Sequence, residues 1–515
     1  DVYTLTPDGG EQILSEAFSY GPSILEAPTG YATAEGGGNA QVYGYGLGPS
    51  YIPNLSQQIV TPPVDLGITI GNTRANVTGY LPGPYSADSY YTLPFPLVGA
   101  EFTIPPGVAG STVDLSLTNS SGSTTLKQAL AYLPPITTYA INGSLLDGVY
   151  DSLRDIYYFT DANQIRVFSR SRGWLAPISV PPVIGAVGPE RLLGVALSPD
   201  NSKLVVSDAG GCVIYVIDAN NPANIKSYPL ASILFFSPLT ETPSGVAITN
   251  AGQIYFTTFD QNGDGSPFLV HINPMTGKAD NPSVGDFQYL QTQGPFQYGR
   301  LPITADGSRI YFSNYGQVGY IDTVTGKGIF ASQTDNLGQG GFDVYLSPNQ
   351  TSLYADGFLM DSQTAIRGFQ SLNYREAFDA DYVYGATLSP DGTLLFQPGT
   401  GFIDVFDGRT GIFRTRISLS VTLSPNYRAL VGDKIDNVQI AITGETGNGI
   451  AVIDLNSIPE PNPLPYPEVA GPAHPSLFAP SSTQLLAKPR AITPAVPAPG
   501  HGIKHRTTSP SEFTR

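Results

Sequence analysis

The chain has one cysteine, Cys212, in 515 residues, so no disulfide within it can hold the fold together. Two methionines, one tryptophan and four histidines leave little material for sulfur or imidazole chemistry. Charged residues make up 13% of the chain, against a usual share of about 25%. Acids outnumber bases 42 to 25, a formal net charge of −17. That balance argues against a nucleic-acid partner, whose phosphates require a basic face. It fits a surface in water, or one that collects divalent cations. There is no apolar run of the roughly 18 residues that a membrane-spanning helix needs, and no long stretch repeats its apolar residues at helical spacing. What the chain does have is Gly 57, Pro 46 and Tyr 30, the material of strands and turns.

One phrase recurs. It reads Gly194-Val-Ala-Leu-Ser-Pro-Asp-Asn-Ser-Lys-Leu-Val-Val, then Gly245-Val-Ala-Ile-Thr-Asn-Ala-Gly-Gln-Ile-Tyr-Phe, then Leu301-Pro-Ile-Thr-Ala-Asp-Gly-Ser-Arg-Ile-Tyr-Phe. It returns at Asp343-Val-Tyr-Leu-Ser-Pro-Asn, at Gly385-Ala-Thr-Leu-Ser-Pro-Asp-Gly and at Val421-Thr-Leu-Ser-Pro-Asn-Tyr-Arg-Ala-Leu. Each copy is an apolar strand, a polar turn and a second apolar strand. A third strand ending in Asp follows several of them: Tyr215-Val-Ile-Asp, Gly319-Tyr-Ile-Asp, Ile403-Asp-Val-Phe-Asp and Ala451-Val-Ile-Asp. Leu145 to Asp161 with Ile165-Arg-Val-Phe-Ser supplies one more unit at the start. Strand-and-turn units repeated every 40–50 residues or so predict a β-propeller over residues 140–458. The count is seven blades, with six or eight also compatible. The phrasing resembles the YVTN/NHL-like propellers, a group of enzymes, binding proteins and scaffolds, so the likeness leaves function open.

Residues 22–135 read as a β-sandwich of alternating strands punctuated by Gly and Pro. Its phrases run Glu35-Gly-Gly-Gly-Asn-Ala-Gln-Val-Tyr-Gly-Tyr-Gly, Val64-Asp-Leu-Gly-Ile-Thr-Ile-Gly-Asn, Ala100-Glu-Phe-Thr-Ile-Pro-Pro-Gly and Val113-Asp-Leu-Ser-Leu-Thr-Asn-Ser-Ser-Gly. Their order resembles the IPT/TIG family of immunoglobulin-like domains, which implies a spacer, adhesive or interaction module without catalytic residues. Residues 1–21 repeat the end of this module: Gly10 falls on Gly122, Leu14 on Leu126, Tyr20 on Tyr132 and Pro22 on Pro134 at one constant offset. They are read as the last strands of a preceding sandwich, or as strands that complete a neighbouring subunit. The complete fold expectation is all-β: an immunoglobulin-like (IPT/TIG) sandwich, a propeller and, at 459–515, an extended Pro-rich tail that is basic at its end.

The sharpest local motif is Asp260-Gln-Asn262-Gly-Asp264-Gly265 between two strands. Oxygen ligands at alternate positions followed by glycine suit Ca²⁺, which takes six to eight hard oxygens. The twelfth place holds His271 where an EF-hand has glutamate, so the motif is either another kind of calcium loop or a polar hairpin turn. Asp379 and Asp381 are an acid pair of the kind glycoside cleavage uses, or else simply solvated. Tyr80, Tyr85, Tyr90 and Tyr91 crowd one loop region, suited to glycan contact or to filling the gap between modules. His474, His501 and His505 lie in the tail, leaving His271 as the one histidine of the predicted propeller. Sequons occur at Asn54, Asn76, Asn119, Asn142 and Asn349, usable only in a suitable secretory system.

Few Cys, Met and Lys with abundant Tyr, Thr, Ser and Gly resemble exported bacterial surface proteins. The functional expectation is a non-catalytic extracellular or cell-surface protein, its leader already removed, acting in adhesion or assembly. Its partners would be other copies of itself, surface proteins or glycans, with Ca²⁺ the candidate cofactor at Asp260, Asn262 and Asp264. A propeller enzyme of lactonase, lyase or glycosidase type, and a carbohydrate-binding protein, are the alternatives.

Overall fold

The computed structural model describes residues 2–5, 11–14, 22–26, 29–45, 47, 66–82, 98–120, 122–182, 191–230, 241–260, 269–280, 300–314, 317–333, 344–350, 352–355, 358–361, 370–371, 385–408, 413–424, 428–444, 446–456 and 458. The Pro-rich tail expected at 459–515 lies outside them. The described residues are all-β, with no α-helix.

Between Ser23 and Leu133 two sheets enclose one apolar core. One runs in the order Ser23–Glu26, Asn39–Tyr45, Val98–Thr103, Asn76–Pro82. The other contains Thr29–Thr33, Gly122–Leu133, Thr112–Asn119, Gly67–Ile70 and Thr73–Arg74. Alternation does the work: Ile68, Ile70, Leu115, Leu117 and Leu130 point inward to meet Val42, Ala100 and Phe102. Tyr80 belongs to this core and is buried, so it is neither a glycan contact nor interdomain filler; Tyr85, Tyr90 and Tyr91 lie outside the described residues. The Tyr132 hydroxyl donates to the carbonyl of Pro105 at 2.8 Å. Its ring lies where a Cβ on Gly107 would stand, 2.1 Å away, so only glycine fits there.

From Thr137 to Asp454 antiparallel sheets follow one another along the chain, each but the last a meander whose strands pair in sequence order. The first four are built on Leu145–Asp151, Leu192–Leu197, Glu241–Ile248 and Arg309–Asn314; three more start at Val344–Leu346, Thr387–Leu388 and Leu430–Gly432. A separate apolar core fills each gap between neighbours. Tyr158 and Ile165 meet Leu204 and Tyr215 between the first and second sheets. Ala247 and Tyr255 meet Ile310 and Ile321 between the third and fourth. Tyr157, Phe159 and Phe168 of the first sheet meet Ile440 and Ile450 of the last, so the succession returns on itself. Closure is also made by backbone hydrogen bonds: Thr137–Ala140, from before the first sheet, pairs antiparallel with Gly449–Asp454 and completes the last. This is the organisation of a β-propeller.

One expectation needs correction. The phrase at Val421 was expected to be strand, turn and strand. Leu423 makes only an isolated bridge to Thr443, and the inner strand of the last sheet is Leu430–Gly432. The closing sheet takes its outer strand from Thr137–Ala140, so the remaining strands are shifted along the chain. Val2–Leu5 and Glu11–Leu14 do pair as a hairpin, with Tyr3 opposite Ile13. The offset predicts Tyr3 opposite Leu14, as Leu115 stands opposite Leu126, so the register is one residue away from the copy it resembles.

Candidate functional site

The registers of the paired strands align one position at the head of every inner strand. Leu197 faces Leu204, Tyr150 faces Tyr157, Ile248 faces Ile254 and Ile303 faces Ile310. Leu346 faces Leu353, Leu388 faces Leu395 and Val431 faces Ile440. Counting back three residues gives Asp147, Gly194, Gly245, Arg300, Asp343, Gly385 and Arg428 in sheet order. The first three sheets carry a register shift here, the kind of bulge that re-aims a side chain.

Glycine stands where neighbouring strands crowd. A Cβ on Gly194 would lie 2.3 Å from the carbonyl oxygen of Ser244. Gly385 has φ +101° and would place a Cβ 2.5 Å from the Ala429 nitrogen. The charged members converge instead. Asp147, buried, takes the Arg428 guanidinium on Oδ2 and lies 3.5 Å from Arg300 through Oδ1. It also accepts the backbone N–H groups of Gly148 at 2.8 Å and Val195 at 3.1 Å. Arg300 donates to the Leu430 carbonyl at 3.3 Å and lies over the Tyr345 ring at 5.8 Å. One carboxylate thus ties the first sheet to the second, to the head of the fourth and to the last. With three hydrogen bonds and a second guanidinium on it, Asp147 is committed to holding the ring; a general base needs a free lone pair aimed at substrate. Asp343 lies outside the described residues.

The acids of the repeated turn are equally committed. Asp200 accepts from the Ser198 hydroxyl at 2.6 Å, the Ser202 N–H at 3.0 Å and the Ser202 hydroxyl at 2.8 Å. Asp306 does the same with Thr304 and Ser308, and Asp391 with Ser389 and Thr393. In each turn the Ser or Thr hydroxyl then accepts the N–H five residues on, as in Lys203 to Ser198 at 2.9 Å. The hydrogen bonds from Thr304 and Ser308 hold the Asp306 carboxyl below its ordinary range. Burial acts to raise Asp200 and Asp391, and the bonds from their Ser and Thr neighbours outweigh it, so both are also lowered. The Ile-Asp ends are turns of related design: Asp322 accepts the N–H groups of Val324 and Thr325 at 3.0 and 2.9 Å, and Asp218 those of Asn220 and Asn221.

Of the predicted metal ligands, Asp260 closes the strand Ile254–Asp260, with Glu241 directly opposite in register. Asn262 and Asp264 lie outside the described residues, among which no group of three or more metal-ligating side chains occurs. Glu241 is an acid that sequence spacing did not bring forward, because only the hairpin register sets it beside Asp260. Asp379 and Asp381, and the tail histidines, lie outside the described residues. His271 shares a 2.6 Å hydrogen bond with the Gln253 side chain and packs on Tyr255 at 4.8 Å. Cys212 is buried, in the turn before Val213–Asp218.

A second constellation joins the two parts of the chain. Strand Thr29–Thr33 pairs parallel with Gly122–Leu133 on one side and parallel with Phe413–Ser418, the outer strand of the sixth propeller sheet, on the other. Tyr31 and Leu133 are buried with Ile417, Leu419 and Leu423. Beside this seam the Glu35 carboxylate accepts the Ile136 N–H at 3.1 Å and the Ser420 hydroxyl at 2.7 Å. Ser418 donates to the Asn39 carbonyl at 3.0 Å. The glycines after Glu35 permit the approach: a Cβ on Gly36 would lie 2.6 Å from the Pro105 backbone, and one on Gly38 would lie 2.8 Å from the Leu419 carbonyl.

Many solved structures are similar to this chain, and two illustrate the likeness. One is the β-propeller domain of Cps50 (Swd1) from Myceliophteria thermophila, 12% identical, covering 62% of this chain and 99% of its own with a TM-score of 0.44. The other is hydrazine synthase of Kuenenia stuttgartiensis, 13% identical, covering 62% and 98% with a TM-score of 0.43. No protein-family model matches the chain, and no curated protein matches it.

Proposed function

We propose that this chain is a non-catalytic extracellular or cell-surface protein, in which an IPT/TIG-like sandwich is fixed to a seven-bladed propeller of the broad YVTN/NHL-like kind. It serves adhesion or assembly, joining copies head to tail through residues 1–21 or the tail at 459–515. The observation that carries this reading is the seam at Thr29–Thr33. A subunit that sets the geometry of an assembly needs a fixed relation between its parts, and a shared sheet supplies one. The saturated acids of the repeated turns and of Asp147 support the same reading, because their lone pairs serve the fold. Head-to-tail contact is heterologous and produces open filaments. Ca²⁺ at Asp260, Asn262 and Asp264, with Glu241 opposite Asp260, would stiffen that hairpin.

Light scattering and negative-stain microscopy of the native protein, first with calcium and then with chelator, test this. Filaments or large oligomers are expected, with their loss in chelator assigning the Asp260 loop a structural ion. Deleting 1–21 and 459–515 is expected to abolish assembly. A monomer in both conditions overturns the reading and directs attention to a ligand of the propeller axis.

A further inference from the structure

We infer that the sandwich and the propeller form one cooperative body, with strand Thr29–Thr33 as the clasp that carries tension from the sandwich into the propeller. Domains joined by a linker ordinarily move relative to one another, and the IPT/TIG resemblance by itself implies a spacer. The contacts here are of another kind.

The sandwich is mounted at two points. The covalent route runs from Gly122–Leu133 through Pro134, Pro135 and Ile136 into Thr137–Ala140, the outer strand of the seventh sheet. The non-covalent route is Thr29–Thr33 against Phe413–Ser418, the outer strand of the sixth. Glu35 ties the two routes together, since it holds the Ile136 N–H of the linker and the Ser420 hydroxyl that follows the sixth sheet. Thr29–Thr33 has a parallel partner on each side, with Tyr31 opposite Ala131 on one and Ile417 on the other. Pulling such a strand along its axis loads the hydrogen bonds of both ladders together, whereas peeling breaks them one at a time. A slip of one residue would also turn Tyr31 out of the apolar cluster it shares with Ile417 and Leu419. Use of the clasp to carry tension rests on the surface-protein reading; the coupling itself does not.

The test is calorimetry and single-molecule pulling of the full chain, with light scattering on the same samples. Wild type is expected to melt in one transition whose calorimetric and van't Hoff enthalpies agree, and to show no separate sandwich event under force. Ala32→Pro, which puts a residue without an N–H into the doubly paired strand, is expected to split the melt in two. Two independent transitions in wild type, or a single transition kept in Ala32→Pro, overturn the inference. A protease site inserted between Pro134 and Pro135 makes the test independent of that variant's folding. After cleavage the halves co-elute on gel filtration if the clasp holds, and separate elution sinks the idea. Coupling lost with assembly intact refutes the clasp alone, while assembly lost with coupling intact refutes the head-to-tail reading alone.

Discussion

The acid at the head of the first sheet and the acids in the repeated turns are equally saturated with hydrogen bonds, yet they do different work. Asp200, Asp306 and Asp391 recur at one place in the repeat, and each is exposed and satisfied within its own turn. At the aligned position an acid returns once more, as Asp343; Asp147 is buried and takes donors from the second and last sheets as well as its own. Repetition marks what every sheet needs for itself. Burial with donors from other sheets marks what ties one sheet to the next.

The comparison breaks most visibly at Asp147. Asp147→Ala leaves the Arg428 and Arg300 guanidiniums without their shared carboxylate in a buried site, and losing one partner of such a set costs about 3–5 kcal/mol. Chemical denaturation should show a loss of that order, and a loss below about 1 kcal/mol would mean that water replaces the carboxylate. Gly385→Ala tests the same position where glycine is required. With φ +101° and the Ala429 nitrogen in the way, the expected loss is roughly 1–3 kcal/mol. The contacts between sheets come next. Thr160 donates to the Leu193 carbonyl at 2.7 Å and accepts the Asp147 N–H at 3.1 Å, and Ser207 repeats the arrangement with Ser244 and Gly194. Ser207→Ala should cost about 1–3 kcal/mol, because it removes the hydroxyl that links the buried Gly194 N–H to the buried Ser244 carbonyl.

Much of the propeller was legible because its turns are chemical statements. Ser-Pro-Asp-Gly-Thr between apolar strands specifies the three hydrogen bonds that Asp391 accepts. The closing sheet was misread for a physical reason: Ser424-Pro-Asn looks like the same turn, but the strand after it begins the sheet, because the outer place is filled from Thr137–Ala140. The site at Asp147, Arg300 and Arg428 was not legible from spacing, since these residues are 153 and 128 positions apart in turn (300 − 147 and 428 − 300). The phrase marks the position only in part, since Asp147 precedes Gly-Val-Tyr, Arg300 precedes Leu-Pro-Ile and Arg428 precedes Ala-Leu-Val. The seam escaped entirely. Thr-Gly-Tyr-Ala-Thr reads as one short strand, and nothing in its sequence says that both of its edges are paired.

The smallest effect sharpens the contrast with the turn acids. Asp200, Asp306 and Asp391 have folded pKa values below the ordinary carboxylate, so the folded state favours their ionised forms. Their contribution is therefore complete above the unfolded value of about 3.9 and declines as pH falls through that value toward the lower folded one. Because the three are exposed, the contribution should stay under about 1 kcal/mol in total. The fifth sheet supplies its own control: Asn349 occupies the same place and accepts the Ser347 hydroxyl at 2.7 Å without a charge. Asp200→Asn, Asp306→Asn and Asp391→Asn together should keep the fold and remove that share of the decline in the urea midpoint between pH 6 and pH 3. If the triple variant loses stability in parallel with wild type across this range, acid sensitivity lies outside these three carboxyls and the turns are held by geometry alone.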